Sequence, residues 1–310
     1  MRVLVTGAAG FVGSHVCQAL VDAGEDVIGV DCFTEYYGRR VKEANLASLL
    51  GRRGFTFREA DLRTAALQPI VTGVDAVINE AAMPGLVYSW QNFDAYASCN
   101  LHTVHRLVEA CQGAGVARFI QASTSSVYGD DAVGAEDSPT RPVSPYGVTK
   151  LAAENLLMAH ATSFGFPAII LRYFSIYGPR QRPDMAYHRF IQALNAGEEI
   201  IVYGDGGQSR SNTYVDDCVR GTIAALHHGE PGETYNLGGG EVITLLQAID
   251  LIAEATGGQP RLRFEAARPG DQRHTCANVA KARQQLGYQP EILPREGLRR
   301  QADWQKQAAI

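Results

Sequence analysis

Cysteine is scarce in this sequence, and no two cysteines lie close together. There is no C-x-x-C pair among the six, which are spread from the N-terminal to the C-terminal part of the chain. Zinc sites need closely spaced thiol or imidazole ligands, and disulfide frameworks belong mainly to small secreted chains. We therefore predict no metal site and no disulfide framework. The cysteines are expected to be reduced core residues: Cys17, Cys32, Cys99, Cys111, Cys218 and Cys276.

The sequence also lacks a charge excess of one sign and a long apolar run. Its formal net charge is −5, with 28 basic and 33 acidic residues scattered along the chain. Such scatter offers no basic stripe for a nucleic-acid backbone, so we expect no nucleic-acid partner. No apolar run approaches the roughly 18 residues of a membrane span, and Met1 leads straight into RVLVTG without the parts of a signal peptide. We expect a cytoplasmic protein without a membrane partner.

Short apolar segments alternate with longer amphipathic ones over the first 174 residues, which is typical of a parallel sheet covered by helices. We predict helices over 11–23, 94–113 and 145–164. The predicted strands are 2–6, 26–31, 55–59, 76–79, 118–122 and 168–172. This pattern predicts an α/β fold with a Rossmann-type doubly wound parallel sheet.

Glycine and proline break the pattern beyond about Ser175, where the elements become shorter. This change predicts a smaller C-terminal α/β domain that binds substrate. We predict a first domain over 1–174, joined again by segments near 213–240, and a second domain formed mainly by 175–310.

Three glycines separate the first predicted strand from the first predicted helix. They lie in the segment VTGAAGFVGSH, at Gly7, Gly10 and Gly13. Glycines in such a turn let the backbone approach a pyrophosphate at the helix N-terminus, although a tight turn without a ligand has the same appearance. We predict a dinucleotide site that also includes Phe11 and Val12.

An acidic residue closes the second predicted strand. Asp31 follows the glycines by about 20 residues, where a carboxylate accepts hydrogen bonds from the adenosine ribose and repels a 2′-phosphate. This predicts NAD rather than NADP. The alternatives are that Asp31 caps the strand end and that Arg39 or Arg40 serves a phosphate. Four residues at the next two strand ends are expected at the same ligand-binding edge: Asp61, Leu62, Ala81 and Ala82.

The candidate catalytic residues lie after the fifth predicted strand and at the start of the next helix. Tyr146 and Lys150, in YGVTK, are four residues apart and therefore share one helix face. A neighbouring ammonium group and a positive nicotinamide ring lower the pKa of a tyrosine toward that of a general base. Y-x-x-x-K alone is common on exposed helices, so this prediction depends on the preceding glycine motif and fold.

These motifs, in this order and spacing, resemble the extended short-chain dehydrogenase/reductases that modify nucleotide sugars. The resemblance continues over nearly the whole chain, through RYFSIYGPRQRPDM (172–185), YGDGGQSRSNTYVDD (203–217), YNLGGG (235–240) and RPGD (268–271). It implies that Tyr146 is the base, that Lys150 holds the nicotinamide ribose, and that Thr124 is the hydroxyl partner, with Ser123 as the fallback.

The resemblance also implies how the nucleotide is held. Arg210 and Arg268 match the arginines that grip the diphosphate, and Asp271 belongs to the second of these motifs. Planar guanidinium donors suit a diphosphate, although both arginines could instead be solvated surface residues. Tyr203 is a candidate for stacking on the base, or for packing in the core.

Residues 124–126 indicate which reaction follows. Relatives that are 4,6-dehydratases look like Thr-Asp-Glu here, and decarboxylases usually keep a glutamate, whereas this chain has Ser125 and Ser126. A hydroxyl does not replace a carboxyl as a proton donor near neutral pH. We therefore predict 4-epimerisation of a UDP-sugar through a transient 4-keto intermediate.

Segment 172–190 looks most similar to the UDP-glucuronate 4-epimerases. A glucuronate carboxylate would suit a pocket of small donors, for which we predict Thr124, Ser125, Ser126, Ser175 and Arg182. Consecutive Ser and Thr residues are equally well explained as turn and helix caps.

Other functions stay open at this point. UDP-glucose/UDP-galactose 4-epimerisation is the first alternative, followed by a UDP-sugar decarboxylase or 4-dehydrogenase and, remotely, a non-catalytic NAD-sensing protein. The helices over 94–113 and 145–164 resemble those that pair in homodimers of this family, although both could simply cover the sheet. Glu80 stands where relatives often have leucine, and the sequence offers no role for it.

Overall fold

A parallel sheet of seven strands lies at the centre of the protein. The structure is a computed structural model that describes residues 1–268 and 270–308. In chain order the strands are β1 (Arg2–Thr6), β2 (Asp26–Asp31), β3 (Phe55–Glu59), β4 (Ala76–Asn79), β5 (Arg118–Thr124), β6 (Asp131–Gly134), β7 (Ala168–Tyr173), β8 (Ile176–Tyr177), β9 (Glu199–Tyr203), β10 (Ser209–Ser211), β11 (Thr213–Tyr214), β12 (Thr234–Leu237), β13 (Val242–Thr244), β14 (Arg261–Glu265) and β15 (His274–Ala277).

Twelve α-helices accompany these strands in the part of the chain that the structure describes. They are α1 (Phe11–Asp22), α2 (Arg39–Leu46), α3 (Gln68–Val71), α4 (Leu86–Ser89), α5 (Phe93–Ala97), α6 (Thr103–Ala114), α7 (Pro145–Phe164), α8 (Ala186–Ala196), α9 (Val215–His228), α10 (Leu245–Thr256), α11 (Ala280–Leu286) and α12 (Pro294–Ala308). A π-helical segment, Ser98–His102, joins α5 to α6, and a 3₁₀ turn, Ser125–Val127, follows β5. No helix of the described residues is both long and apolar enough to cross a membrane.

The central sheet has the strand order β3-β2-β1-β4-β5-β7-β12. All of its neighbouring strands pair in parallel. The chain builds outward from β1 to β3 and then returns to place β4 on the other side of β1, which creates a switch point between β1 and β4. Ligands bind beyond the carboxyl ends of the strands at such a point. The predicted doubly wound α/β fold is confirmed.

Both faces of the sheet are covered, because alternate residues of one strand pack into different cores. Val3 and Val5 of β1 belong to one apolar cluster, whereas Leu4 between them belongs to another. This double burial explains why the strands appear in the sequence as continuous apolar runs. The six predicted strands are present, and β5 and β7 extend beyond the prediction to Thr124 and Tyr173.

The smaller elements form a second layer of structure beside the sheet. Strands β13, β10, β15 and β6 make a four-stranded sheet, while β11 pairs with β8 and β14 with β9. The chain passes between the two parts more than once, since β6 pairs with β15, and β12 joins the central sheet beside β7. The division into domains at residue 174 stays a prediction.

One sequence-based expectation is confirmed with a refinement, and one was wrong. The chain is helical over the predicted 94–113, from Phe93 to Ala114, but a π-helical turn around Asn100 lies within this helix. The cysteines are not all core residues: Cys17, Cys111 and Cys218 are buried, whereas Cys32 and Cys99 are partly buried and Cys276 is exposed. Periodicity does not reveal a π turn, and the apolar character of a thiol does not by itself fix its burial.

Candidate active site

A cavity of 340 Å³ lies at the switch point, at the carboxyl ends of β1 to β5. Sixteen residues that the sequence analysis placed at the cofactor or substrate site line it together: Gly7, Gly10, Phe11, Val12, Gly13, Asp31, Asp61, Leu62, Ala81, Ala82, Thr124, Ser126, Tyr146, Lys150, Ser175 and Arg182. They come from strands, helices and loops that are far apart in sequence. The fold therefore brings the predicted cofactor and reaction residues into one space.

The glycine turn is packed too tightly for side chains. Gly7 has φ of +67°, and a Cβ there would lie 2.9 Å from the backbone nitrogen of Ala81. A Cβ on Gly13 would lie 2.2 Å from the Gly7 carbonyl oxygen. Helix α1 starts directly after Gly10, and no side chain caps its first amides. The turn thus brings bare backbone and a helix N-terminus to the cavity, as an anion such as a pyrophosphate requires.

Asp31 caps the turn at the end of β2 and also lines the cavity. Its Oδ2 accepts a hydrogen bond from the Ala9 amide at 3.2 Å, and its Oδ1 accepts one from the Phe33 amide at 2.8 Å. Arg39 turns away to Glu59, with two hydrogen bonds of 2.9 and 2.8 Å. Neither Arg39 nor Arg40 lines the cavity.

Helix α7 starts where it does because of Ser144 and Pro145. The Ser144 hydroxyl accepts a hydrogen bond from the Gly147 amide at 3.1 Å, and proline suits the first helical position. A Cβ on Gly147 would lie 2.7 Å from the Ser126 carbonyl oxygen, so glycine allows the first turn of α7 to approach the end of β5. This approach brings Tyr146 to the hydroxyls that follow β5.

Lys150 is buried one turn further along α7, where its ammonium donates to the Ala122 carbonyl oxygen at 2.5 Å. Burial lowers the pKa of Lys150 to about 8, although the nearby negative charges of Glu80 and Glu154 act in the opposite direction. Burial raises the pKa of Tyr146, against the effects of the Thr124 hydroxyl and the Arg182 charge. The net effect of the protein's own groups is thus a raised pKa of Tyr146, and Lys150 is not among the groups that lower it.

Glu80, for which the sequence offered no role, follows β4 and lines the cavity. Its Oε1 accepts a hydrogen bond from the Tyr173 hydroxyl at 2.7 Å, and that hydroxyl also lies 2.8 Å from the Thr222 hydroxyl. Burial raises the pKa of Glu80 to about 7, although Tyr173 and Lys150 both favour its ionised form. This carboxyl therefore keeps its proton to a higher pH than an exposed glutamate does.

The three hydroxyls at the end of β5 do not share one direction. Thr124 and Ser126 line the cavity and lie 3.2 Å apart at their hydroxyl oxygens. Ser125 does not line it, since its hydroxyl donates to Gln272 at 3.2 Å. The expectation that all three serve the substrate is therefore wrong for the Ser125 hydroxyl. Ser123, the fallback for Thr124, already donates to the buried carboxylate of Glu154.

A second cavity, of 630 Å³, adjoins the first and shares Ser175 with it. Four residues predicted to hold the nucleotide line this cavity: Tyr203, Arg210, Arg268 and Asp271. The Arg268 guanidinium carbon lies 3.3 Å from the centre of the Tyr203 ring, so these two side chains are stacked. Arg210 donates instead to three backbone carbonyls, those of Ser209, Gln272 and Arg273.

Sequence reasoning missed several residues of the first cavity. Tyr36 and Tyr37 follow β2, and Met83 follows β4; strand-end loops at the switch point are the signal that could have found them. Asn100 was also missed. Its side chain bonds the Met83 backbone at 2.7 and 3.1 Å and the Thr149 hydroxyl at 3.1 Å, which ties the loop after β4 to α7. A buried asparagine within an apolar helix was its signal.

Comparison with known proteins agrees with this geometry. Residues 3–238 match the NAD dependent epimerase/dehydratase family. A Bacillus subtilis (strain 168) protein named as an uncharacterised UDP-glucose epimerase, YtcB, is 44% identical over 304 residues, with 96% of each chain covered. The UDP-glucuronate 4-epimerase of Thermodesulfobacterium geofontis (strain OPF15) is 36% identical, with 98% of this chain and 96% of that protein covered.

Solved structures give the same result. The crystal structure of UDP-glucuronic acid 4-epimerase from Bacillus cereus, in complex with UDP-glucuronic acid and NAD, matches with a TM-score of 0.96 at 40% identity. That match covers 99% of this chain and 100% of the other. The likeness in sequence and structure thus spans the full length, and this chain belongs to the NAD dependent epimerase/dehydratase family.

Proposed function

We propose that this protein is an NAD-dependent UDP-sugar 4-epimerase and that its substrate is UDP-glucuronate, which it converts to UDP-galacturonate. One observation carries the proposal: a single cavity holds Tyr146, Lys150 and the Thr124 hydroxyl together with the Arg182 guanidinium. The first three suit proton transfer at a sugar hydroxyl, and the fourth suits a carboxylate.

The cavity fits NAD better than NADP. The backbone at Gly7 and Gly13 is too close to its surroundings for a Cβ, so a diphosphate can approach the start of α1. Asp31 lies where it can accept hydrogen bonds from the adenosine ribose, and Arg39 is held by Glu59, away from a 2′-phosphate. Asp61, Leu62, Ala81 and Ala82 would line the rest of the site. NAD held there would supply the hydride-transfer chemistry at C4 of the sugar.

Tyr146 would take the proton of the C4 hydroxyl and later give it back. The Thr124 hydroxyl lies beside it and would share the hydrogen bond to that oxygen. Lys150, fixed on the Ala122 carbonyl, would hold the ribose of the cofactor and supply positive charge near the phenolate. Because burial raises the pKa of Tyr146, added positive charge is needed for it to act as a base near neutral pH.

The polar groups favour epimerisation over elimination of water. Residues 125 and 126 are serines, so no carboxyl follows Thr124 to act as a further acid or base. Glu80 is a cavity carboxyl whose charge acts on Tyr146, and its Oε1 accepts a hydrogen bond from the Tyr173 hydroxyl. A decarboxylase would require the bond to the carboxylate of the 4-keto sugar to align with the π system of the carbonyl. The Arg182 guanidinium would hold the carboxylate out of that alignment.

The uridine diphosphate would occupy the second cavity. Arg268 and Arg210 would face its phosphates, and Tyr203 would face its base. Arg268 is the stronger candidate of the two arginines, because Arg210 already donates to the Gln272 and Arg273 carbonyls. Ser175, shared by both cavities, lies between the sugar and nucleotide ends.

The second candidate function is UDP-glucose/UDP-galactose 4-epimerisation. It is favoured by the 44% identity to the Bacillus subtilis protein named for UDP-glucose. The two candidates differ in the need for Arg182, since only glucuronate carries a carboxylate. Replacing Arg182 by glutamine should weaken turnover of UDP-glucuronate by about 100-fold and leave a neutral hexose nearly unaffected.

Proton NMR of the anomeric signals tests the proposal directly. Purified protein is incubated with UDP-glucuronate and, separately, with UDP-glucose, with and without added NAD, while NADH absorbance is followed. We expect UDP-galacturonate without net NADH and no product from Tyr146→Phe. A pentose product would indicate a decarboxylase, and stoichiometric NADH a 4-dehydrogenase. Product from UDP-glucose alone would establish the second candidate.

We also propose a homodimer that pairs through α7 and the helices around the π-helical segment. Several large apolar side chains of this region are exposed, which is consistent with a covered surface in a dimer: Trp90, Phe93, Val148 and Phe164. Gel filtration with light scattering should give twice the mass of one chain, and Val148→Glu should give a single chain. The cytoplasmic location stays a prediction.

A further inference from the structure

Arg182 is held along one edge of its guanidinium group. Its Nε donates to Asp184 Oδ1 at 3.0 Å, and its Nη2 donates to Asp184 Oδ2 at 3.1 Å. A guanidinium has five N–H donors in a plane, so this pair uses two of them. Among residues 1–268 and 270–308, no acceptor takes the other three. Arg182 therefore has one free edge, formed by Nη1 and Nη2, and it lines the same cavity as Tyr146.

Asp184 is in turn held by Tyr36, from a loop 148 residues away in sequence. The Tyr36 hydroxyl donates to Asp184 Oδ2 at 3.2 Å. A Cβ on Gly85 would lie 2.2 Å from that hydroxyl oxygen, so the glycine leaves room for it. The Arg182 guanidinium carbon also lies 5.9 Å from the centre of the Tyr36 ring. The loop that carries Tyr36 thus holds the Asp184 carboxylate, and this carboxylate in turn holds the Arg182 guanidinium.

The backbone that carries Arg182 is firmly anchored. Arg180 has φ of +63°, a left-handed conformation that non-glycine residues adopt only where the surroundings impose it. The side-chain oxygen of Gln181 accepts from Gln301 at 2.7 Å, and the Met185 amide donates to the Arg182 carbonyl oxygen at 3.1 Å. With the main chain fixed, the direction of the guanidinium depends on its side-chain partners, above all Asp184.

We infer that Asp184 and Tyr36 are positioning residues that select a carboxylated sugar, by holding one edge of Arg182 so that its other edge receives the carboxylate at C6. The inference rests on the proposed function. Both residues act through Arg182. A bidentate pair on the Nη1 and Nη2 edge is possible because Asp184 occupies the Nε and Nη2 edge, and two carboxylates on two edges of one guanidinium do not exclude each other.

Asp184 could instead compete with the substrate carboxylate, and the two roles change UDP-glucuronate binding in opposite directions. If Asp184 competed with the substrate carboxylate for the same donors, removing its charge would strengthen binding of UDP-glucuronate. If it positions Arg182, removing its charge weakens that binding, because the long arginine side chain regains its rotamer freedom. A neutral UDP-hexose has no carboxylate to bind the free edge of Arg182, so neither role changes its binding through Arg182.

The experiment compares wild type, Asp184→Asn and Tyr36→Phe, all loaded with NAD. Calorimetric dissociation constants and steady-state KM and kcat are measured with UDP-glucuronate and with UDP-glucose. Asp22→Asn is the matched control, because Asp22 pairs with Arg52 at 2.8 Å on the surface and lines neither cavity. Tyr36→Phe removes only the hydroxyl that holds Asp184, so it keeps the test valid if Asp184→Asn does not fold.

We expect Asp184→Asn to weaken UDP-glucuronate binding and raise its KM about tenfold, with kcat changed less than about threefold. Tyr36→Phe should act in the same direction by about threefold. Tyr36 lines the first cavity and Asp184 the second, so the readout is the ratio of the two sugars: UDP-glucose binding should change much less than UDP-glucuronate binding, and Asp22→Asn should change neither. Tighter UDP-glucuronate binding, or equal losses for both sugars, would overturn the inference while leaving the proposed function intact. A wild type that does not prefer UDP-glucuronate would overturn both.

Discussion

The carboxyl of Glu80 should make the protein less stable as the pH rises through neutrality. Its ordinary pKa of 4.5 is raised to about 7 in the folded protein. Between these values the unfolded chain has lost the proton and the folded protein keeps it, so stability falls with rising pH. The difference between the two pKa values corresponds to a loss of about 3 kcal/mol in the free energy of unfolding. This loss is absent below pH 4.5 and complete above pH 7.

Glu80→Gln should therefore stabilise the protein at pH 8 but not at pH 5. The amide oxygen can still accept the hydrogen bond of Tyr173, so the main change is loss of a buried charge. The gain should reach up to about 3 kcal/mol at pH 8. Lys150 also contributes, because Glu80→Gln removes a negative charge that opposes the lowering of its pKa to about 8. The variant loses that attraction, so the gain at pH 8 should be smaller than the full value.

The assay is urea unfolding of nucleotide-free protein, followed by circular dichroism at several pH values from 5 to 8. Glu230→Gln serves as the control, because Glu230 is an exposed carboxyl that lines neither cavity. The quantity compared is the free energy of unfolding of each variant minus that of wild type. If the difference for Glu80→Gln were the same at pH 5 and pH 8, the reasoning about its burial would be wrong.

The same variant should alter the pH dependence of turnover. The negative charge of Glu80 raises the pKa of Tyr146, so its removal should make the phenolate easier to form. The acidic limb of the kcat profile should then move to lower pH in Glu80→Gln, with KM for the sugar little changed. An unchanged kcat profile would show that the charge of Glu80 does not affect the ionisation of Tyr146.

Two further results are expected. Gly13→Ala should cost roughly 2 kcal/mol of stability and weaken NAD binding at least tenfold, because its Cβ would lie 2.2 Å from a backbone oxygen. Gly38→Ala, with no atom within 4 Å of the new Cβ, should do neither, as thermal unfolding and NAD titration would show. NAD should protect Cys32 and Cys99, which line the cavity, from alkylation, and leave exposed Cys276 reactive. The labelling is measured by peptide mass spectrometry, and equal labelling of Cys32 and Cys99 with and without NAD would contradict this expectation.

The sequence predicted the central sheet well because its signals are local. Strands β1 to β4 begin and end at the predicted residues. Of these, β1, β2 and β4 are short apolar runs buried on both sides, whereas β3 lies at the sheet edge. Helix α7 also has its predicted bounds, with Ser144 as its N-cap and Gly165 in the left-handed conformation at its end. These elements carry Asp31, Tyr146 and Lys150, and Thr124 ends β5, two residues beyond the predicted end of that strand. The reaction residues could therefore be predicted together with the fold.

Contacts between distant segments could not be predicted in this way. The Ser125 hydroxyl faces Gln272, which lies 147 residues further along the chain. Nothing in STSSVYG distinguishes that serine from Ser126, whose side chain lines the cavity. Likewise, Glu80 becomes intelligible only when Tyr173 and Lys150 are seen around it. Such pairings depend on how the sheet assembles, and a single sequence does not record them.

The division between regular elements and loops explains why the reaction is easier to predict than the substrate. Thr124 is the last residue of β5, and Tyr146 and Lys150 lie on the first turns of α7, so their geometry follows from the fold itself. Arg182 lies in the irregular segment between β8 and α8, and its orientation depends on Asp184. A short change in that segment could alter the sugar while leaving the base in place. The identity of the substrate therefore depends on side-chain contacts between loops, which is where experiments on this protein are most informative.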